Sequence, residues 1–326
     1  MSLPSFEVVI PASLAEAISF YSENRDFTKI IAGGTDIVPS LKQRLFEPQY
    51  LLDMKGAREL TGIQNTMDGG LRIGAMTTIT QVATHPVIAQ HFPVLQQAAA
   101  TVAGPGLRNV GTLGGNICLD TRCYWYNQSY FWRQSCGFCI KKDGSMCHVA
   151  PGSKKCWAVY SGDTAAALLT LDANIRLQSA GRDRLIPLSD FFVNDGAIRN
   201  RLEPAEILTE ILIPPTARGY AGVYEKFRLR GSVDYPLAGI AVAVKTTGGN
   251  IEDLRIGLTA VNPLPLLIGT PLQTLDSETI DNLQKLAMRT AKPLKTSAST
   301  IEYRRHMVGA MLRRALQKLN SNGGNS

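Results

Sequence analysis

Apolar residues recur along this chain in two rhythms, and the switches between them mark its elements. Over residues 1–57, "SFEVVIPA", "TKIIAGGTD" and "QYLLDM" are short apolar runs bounded by turn residues, which predicts strands, while Ser13 to about Asn24 follows helical spacing. The result is a small α/β layer. Over residues 58–215, "LRIGAMTTIT" and "ANIRLQS" read as strands, "FPVLQQAAATVAG" as a helix, and "EILTEILIPP" as a strand stopped by its prolines. Residues about 120–158 interrupt this pattern with a cysteine-rich stretch that has no period of its own. From 216 to 326 come "AGVYEKFRLR", two strands joined across the "TGGN" turn of "LAGIAVAVKTTGGNIEDLRIGLTAV", and helices after Glu278. The predicted class is therefore α+β. In the last helix Met307, Ala310, Met311, Leu312, Ala315 and Leu319 form the expected core stripe, and Arg304, Arg305, Arg313 and Arg314 fall mostly on a solvated or subunit-facing side.

Length supports more than one domain, because 326 residues exceed the size at which a single core keeps growing. The net charge of +7 changes little: Lys and Arg are spread through the chain and concentrate only in "YRRHMVGAMLRRALQKL", which does not make a nucleic-acid-binding stripe. No apolar run approaches the roughly 18 residues that cross a bilayer, and the start lacks the basic and apolar regions of a secretory signal. A cytoplasmic location without membrane contact is expected. The cysteines are then expected as metal or redox thiols rather than as disulfides.

Two glycine loops carry candidate chemistry. "IIAGGTDIVPS" puts Gly33 and Gly34 directly after an apolar strand, where bare backbone N–H groups can approach a pyrophosphate. "NVGTLGGNI" offers Gly111, Gly114, Gly115 and Asn116, with the Thr112 hydroxyl as a further donor. Neither has the spacing of a dinucleotide-fold or P-loop motif, and either one alone reads first as a tight turn. Five of the six cysteines lie between Cys123 and Cys156. Cys136-Gly-Phe-Cys139 is a C-x-x-C pair that suits a tetrahedral zinc or a redox site, and His148 beside Cys147 is a possible ligand. Cys118 reads as a small packed hydrophobe.

Taken together, the two loops, "EILTEILIPP", "YEKFRLR" and the "YRR" helix resemble the FAD-binding medium subunits of the molybdenum hydroxylase (xanthine oxidase) family along nearly the whole chain. The resemblance implies an FAD-binding domain made of two subdomains (1–57 and 58–215), and a C-terminal α+β domain (216–326). By position, Ile30, Ile31, Ala32, Gly33, Gly34, Thr35 and Asp36 would form one wall around the FAD diphosphate, with Thr112, Gly115 and Asn116 forming the other. Val102, Ala103, Asp163, Leu208 and Lys226 would complete the flavin contacts. Outside the resemblance, the last three read as a helix cap, a core leucine and a surface lysine.

Most members of that family lack the stretch of about 120–158. It is similar to an insertion in the beta subunits of the 4-hydroxybenzoyl-CoA reductase group, which implies a 4Fe-4S cluster on Cys123, Cys139, Cys147 and Cys156, one thiolate per iron. The gaps of 15, 7 and 8 residues would make the loop wrap the cluster, with Trp125, Tyr126, Tyr130, Phe131, Trp132 and Phe138 as cover. The implied role is an electron relay from reduced ferredoxin through the 4Fe-4S cluster and FAD. It would lead to a small subunit with two 2Fe-2S clusters and a large molybdenum-cofactor subunit, arranged as a dimer of heterotrimers, for reductive dehydroxylation of 4-hydroxybenzoyl-CoA. The alternatives are a medium subunit passing electrons to NAD and a zinc-stabilised scaffold without enzymatic role.

Overall fold

A computed structural model of the chain describes residues 2–248, 250–269, 275–295 and 299–323. Three sheets follow one another along the sequence. In the first, β1 (Glu7–Val9), β2 (Thr28–Ile31) and β3 (Tyr50–Asp53) are parallel in the order β1-β3-β2. β1 and β2 flank β3 in parallel, and the helix Leu14–Asn24 carries the chain from one edge strand to the other. Ser13 starts that helix by accepting the Glu16 N–H at 3.2 Å, so the sequence-predicted start is a true cap.

The second sheet is antiparallel, with β4 (Ile63–Asn65), β5 (Leu71–Gly74), β6 (Asn174–Ser179), β7 (Arg182–Pro187) and β8 (Ile207–Ile213) in the order β4-β5-β8-β6-β7. Its apolar face shares one core with the helices Ile79–Thr84, Pro93–Thr101 and Asp163–Thr170. In the third sheet, β9 (Ala221–Phe227), β10 (Ala238–Thr247), β11 (Asn250–Thr259) and β12 (Leu266–Ile268) run antiparallel in the order β12-β11-β10-β9. The predicted "TGGN" turn joins β10 to β11, although its Gly249 lies outside the described residues. Helices Ser277–Thr290 and Ile301–Gly323 cover one face of this sheet.

Helix Asp163–Thr170 ties the second and third sheets together. All eight of its residues are buried, as its Ala- and Leu-rich sequence allows, and the absent side chain of Gly257 lets the Ala166 carbonyl lie directly on β11. Among the described residues no helix is long and apolar enough to cross a membrane.

The last helix departs from its predicted pattern at two positions. Ala310 is exposed, while Val308 and Leu316 are buried and complete the stripe with Met311, Leu312, Ala315 and Leu319. Arg304, expected on the polar side, is 1% exposed and donates to the carbonyls of Leu237, Leu294 and Ala260. Burial lowers its pKa to about 10, and the three carbonyls take the place of water around the guanidinium.

The cysteine-rich stretch leaves this framework at a narrow neck. Arg122 and Val159 exchange backbone hydrogen bonds of 2.7 and 2.9 Å, and the intervening chain contains one short helix, Tyr130–Ser135. That helix turns Arg133 inward and Phe131 outward, at 1% and 79% exposure. Phe131 thus gives no cover from water; Tyr126 at 3% does.

Candidate functional site

The two glycine loops meet backbone to backbone. β2 runs into Ala32, Gly33, Gly34 and Thr35, and Gly34 takes a left-handed φ of +75° that turns the chain into the helix Ile37–Lys42. A Cβ on Gly33 would fall on the Val110 carbonyl and 2.7 Å from Gly111 Cα. The second loop is equally tight behind: a Cβ on Gly114 would lie 2.7 Å from the Cβ of Ala75. Thr112 caps the helix Leu113–Ile117 by accepting the Gly115 N–H at 3.1 Å. Gly115 itself is exposed, with its N–H engaged by that cap.

Asn116 links this loop to the buried helix. Its side-chain oxygen accepts from the Thr164 N–H at 3.2 Å and hydroxyl at 2.7 Å, and its backbone carbonyl accepts from the Tyr160 hydroxyl at 2.8 Å. One residue earlier, Asp163 forms a buried ion pair with Lys226 of β9 at 2.9 Å and accepts from the Tyr224 hydroxyl at 2.7 Å. Lys226 is therefore not a surface lysine; its side chain is 3% exposed and donates also to the Thr101 carbonyl at 3.1 Å. Burial pushes the Asp163 carboxyl up and the Lys226 ammonium down, while each partner opposes the shift of the other.

Arg228 donates to the same Thr101 carbonyl at 3.2 Å, and Arg108 to that of Val102 at 2.7 Å. These contacts hold the Val102–Ala103 turn, where Ala103 has a φ of 42° and accepts from the Val233 N–H at 3.1 Å. Leu208 lies on β8 in the same apolar cluster as Leu113 and Ile117. Asp36 reaches across to two residues that sequence reasoning missed. It pairs with Arg122 at 2.9 Å and accepts from the Tyr235 hydroxyl at 2.9 Å, while the guanidinium stacks 4.1 Å above the Tyr235 ring. Burial and the Asp36 charge together push the Tyr235 hydroxyl up.

Arg122 is also the residue before Cys123, so the first glycine loop touches the root of the cysteine segment directly. Beyond the neck, Cys139, Cys147 and Cys156 are buried and Cys123 is half-buried; all six cysteines are free thiols. Cys139 opens a tight hairpin, exchanging backbone hydrogen bonds of 3.3 and 2.9 Å with Lys142. The Cys156 sulfur accepts from the Ala158 N–H at 3.3 Å, and its own N–H reaches Asp195 at 3.3 Å. Burial foremost, with the neighbouring Cys156, Cys139 and Cys147 thiols and against the Trp125 N–H, pushes the Cys123 thiol up to about 12. Cys156 is pushed up to about 11 by burial, against the pull of the Ala158 N–H and the Lys141 ammonium.

The four thiols singled out by the sequence are thus within electrostatic range of one another. Cys136 ends the helix Tyr130–Ser135, and Cys118 packs on the core of the second sheet, where burial pushes its thiol up to about 11. The His148 ring stacks 4.7 Å from Trp125 and contacts the Phe138 carbonyl. Among the described residues no group of three or more His, Cys, Asp or Glu is placed to hold a metal ion.

A buried polar knot pins the segment to the framework. Asp120 accepts from Lys141 at 2.9 Å, Arg199 at 3.1 Å and the Tyr126 hydroxyl at 2.9 Å. On the opposite side, Arg133 donates to the Arg44 carbonyl at 2.8 Å. Every charged member of this knot lies outside the motifs, and no signal in the sequence marked it.

Comparison with known proteins matches both halves of the chain. Residues 4–216 fit the family model for the FAD binding domain in molybdopterin dehydrogenase, and residues 222–319 fit that for the CO dehydrogenase flavoprotein C-terminal domain. The chain is 30% identical to the carbon monoxide dehydrogenase medium chain of Afipia carboxidovorans, covering 98% of this chain and 99% of that one. It is 28% identical to a xanthine dehydrogenase FAD-binding subunit of Escherichia coli K12, over 94% and 93% of the two chains. Among solved structures, a chain of CO dehydrogenase from Hydrogenophaga pseudoflava superposes with a TM-score of 0.79 at 27% identity, covering 97% of this chain and 98% of that one.

Proposed function

The chain belongs to the FAD-binding subunits of the molybdopterin dehydrogenase family, and from that premise we propose that it is the electron-relaying medium subunit of a molybdenum enzyme, carrying a 4Fe-4S cluster beside its flavin. The residue types present support both groups. For the flavin, Gly33 lets the two loops meet backbone to backbone, and Gly115 gives the second loop an exposed face without a side chain. For the cluster, a cubane takes one thiolate per iron, so its four ligands need not converge on one point as they must for zinc. Three buried thiols and a half-buried fourth, without disulfides, suit that requirement.

The single observation that carries the reading is the route of the cysteine segment. It starts one residue after Arg122, whose guanidinium holds Asp36 at the first glycine loop, so a cluster bound there would be anchored to the flavin cradle. FAD supplies acceptance of electrons singly or in pairs. The chain's own residues do the positioning: Gly33 and Gly34 shape the first loop, Thr112 and Asn116 fix the second, and the Asp163–Lys226 pair closes the base. Cys123, Cys139, Cys147 and Cys156 would hold the cluster.

The partners we propose are a large molybdenum-cofactor subunit and a small subunit with two 2Fe-2S clusters, in a dimer of heterotrimers. Reduced ferredoxin would be the donor and 4-hydroxybenzoyl-CoA the substrate of the large subunit. A second reading, a medium subunit serving another substrate and passing electrons to NAD or another acceptor, is favoured by the relatives, which are named for carbon monoxide, xanthine and nicotinate. Purification of the native complex separates them. Ferredoxin-dependent reduction of 4-hydroxybenzoyl-CoA supports the first; substrate-dependent NAD reduction without it supports the second.

A further inference from the structure

The cysteine segment brings its own charge with it. Lys141 lies in the hairpin opened by Cys139, and its side chain, 4% exposed, donates from the ammonium to Asp120 at 2.9 Å and to the Thr121 carbonyl and hydroxyl at 2.7 and 2.5 Å. It also sits 4.1 Å from the centre of the Tyr126 ring. Arg199 reaches the same Asp120 oxygen at 3.1 Å from the loop that holds Cys156, where the Gly196 N–H donates to the Cys156 carbonyl at 2.9 Å. Lys141 and Arg199 thus share one carboxylate, Asp120, at the root of the cysteine segment. The excess charge is positive, and Lys141 is the cation most enclosed by protein.

We propose that Lys141 is a positioning residue for electron transfer, whose buried positive charge, only partly neutralised by Asp120, raises the reduction potential of the group held by Cys123, Cys139, Cys147 and Cys156. This rests on the cluster reading above. Reduction adds one negative charge to a thiolate-ligated cluster, and a fixed cation in a water-poor pocket stabilises the reduced form more than the oxidised one. Asp120 has a second role in the same device: it holds the ammonium in place and sets how much of its field remains.

The test is charge bookkeeping by redox titration of the anaerobically purified chain, followed by visible absorption and electron paramagnetic resonance. Lys141→Met removes one positive charge. It should lower the cluster midpoint enough to change the reduced-to-oxidised ratio at least tenfold at a fixed poise, about 59 mV for a one-electron couple. Asp120→Asn should raise the midpoint, and the double variant, in which one charge of each sign is gone, should return near the parent. A purely structural role would move all three the same way, or leave all three unmoved, and either result overturns the inference while iron content stays at the parent level. Should Lys141→Met fail to load iron, Asp120→Asn and the double variant still decide it by the direction and recovery of the midpoint. A parent chain without iron would overturn the cluster reading and this inference with it, and the iron assay tells that case apart.

Discussion

Replacing Gly33 by alanine tests the contact between the two glycine loops. The new Cβ would lie 2.7 Å from Gly111 Cα and from the Val110 carbonyl carbon, all backbone atoms that cannot rotate away. Reaching an ordinary contact of 3.4 Å with these two atoms requires the loops to part by about 0.7 Å at least, the Val110 carbonyl oxygen being nearer still. Forcing even one methyl into a packed contact costs about 1–3 kcal/mol. If the flavin needs both loops in place, that cost returns as weaker binding, roughly 10- to 100-fold at about 1.4 kcal/mol per decade. Gly115→Val is the contrast. Gly115 is exposed and meets only the Thr112 hydroxyl within 3 Å, so its variant should keep the apoprotein's stability yet lose FAD by occupying the open side of the cradle. Urea unfolding of the deflavinated chain and FAD titration by fluorescence give the two numbers for each variant. A Gly33→Ala chain with parental stability and parental FAD affinity would refute the reasoning.

Three other substitutions probe separate parts of the account. Asp163→Asn leaves Lys226 buried without its counter-charge and should cost about 3–5 kcal/mol, with Asp163→Asn/Lys226→Met recovering part of it in denaturant unfolding. Arg304→Met leaves the Leu237, Leu294 and Ala260 carbonyls without donors at roughly 1–3 kcal/mol each, so thermal unfolding should shift down markedly more than for Arg314→Met on the exposed side. Cys147→Ser and Cys156→Ser should each abolish the iron-sulfur signal, whereas Cys136→Ser should retain it; the opposite pattern, in iron analysis and electron paramagnetic resonance, would show the ligand set to be misassigned.

What the sequence made legible is local. Gly33 and Gly34 follow an apolar strand, Ser13 precedes a helical stripe, and the prolines after Ile213 end β8; each signal spans a few residues and acts where it stands. What stayed hidden is the pairing of distant residues. Tyr235 meets Asp36 across 199 positions, and Arg199 meets Asp120 across 79, with no motif at either end. Arg304 was hidden for a related reason. On its helix it reads as one arginine among several, and only the three carbonyls converging from other segments make a buried site for it. Phe131 shows the same limit: a phenyl ring in an aromatic-rich loop reads as cover, but the short helix places Arg133 on the inner side and leaves Phe131 in solvent.

The most direct test of the account is the cofactor content of the anaerobically produced chain, measured as FAD, iron, acid-labile sulfide and zinc in the same sample. The account predicts one flavin and about four irons with matching sulfide, and an absorption that dithionite bleaches beyond the flavin bands. Full flavin occupancy with no iron, or with a single zinc, would contradict it.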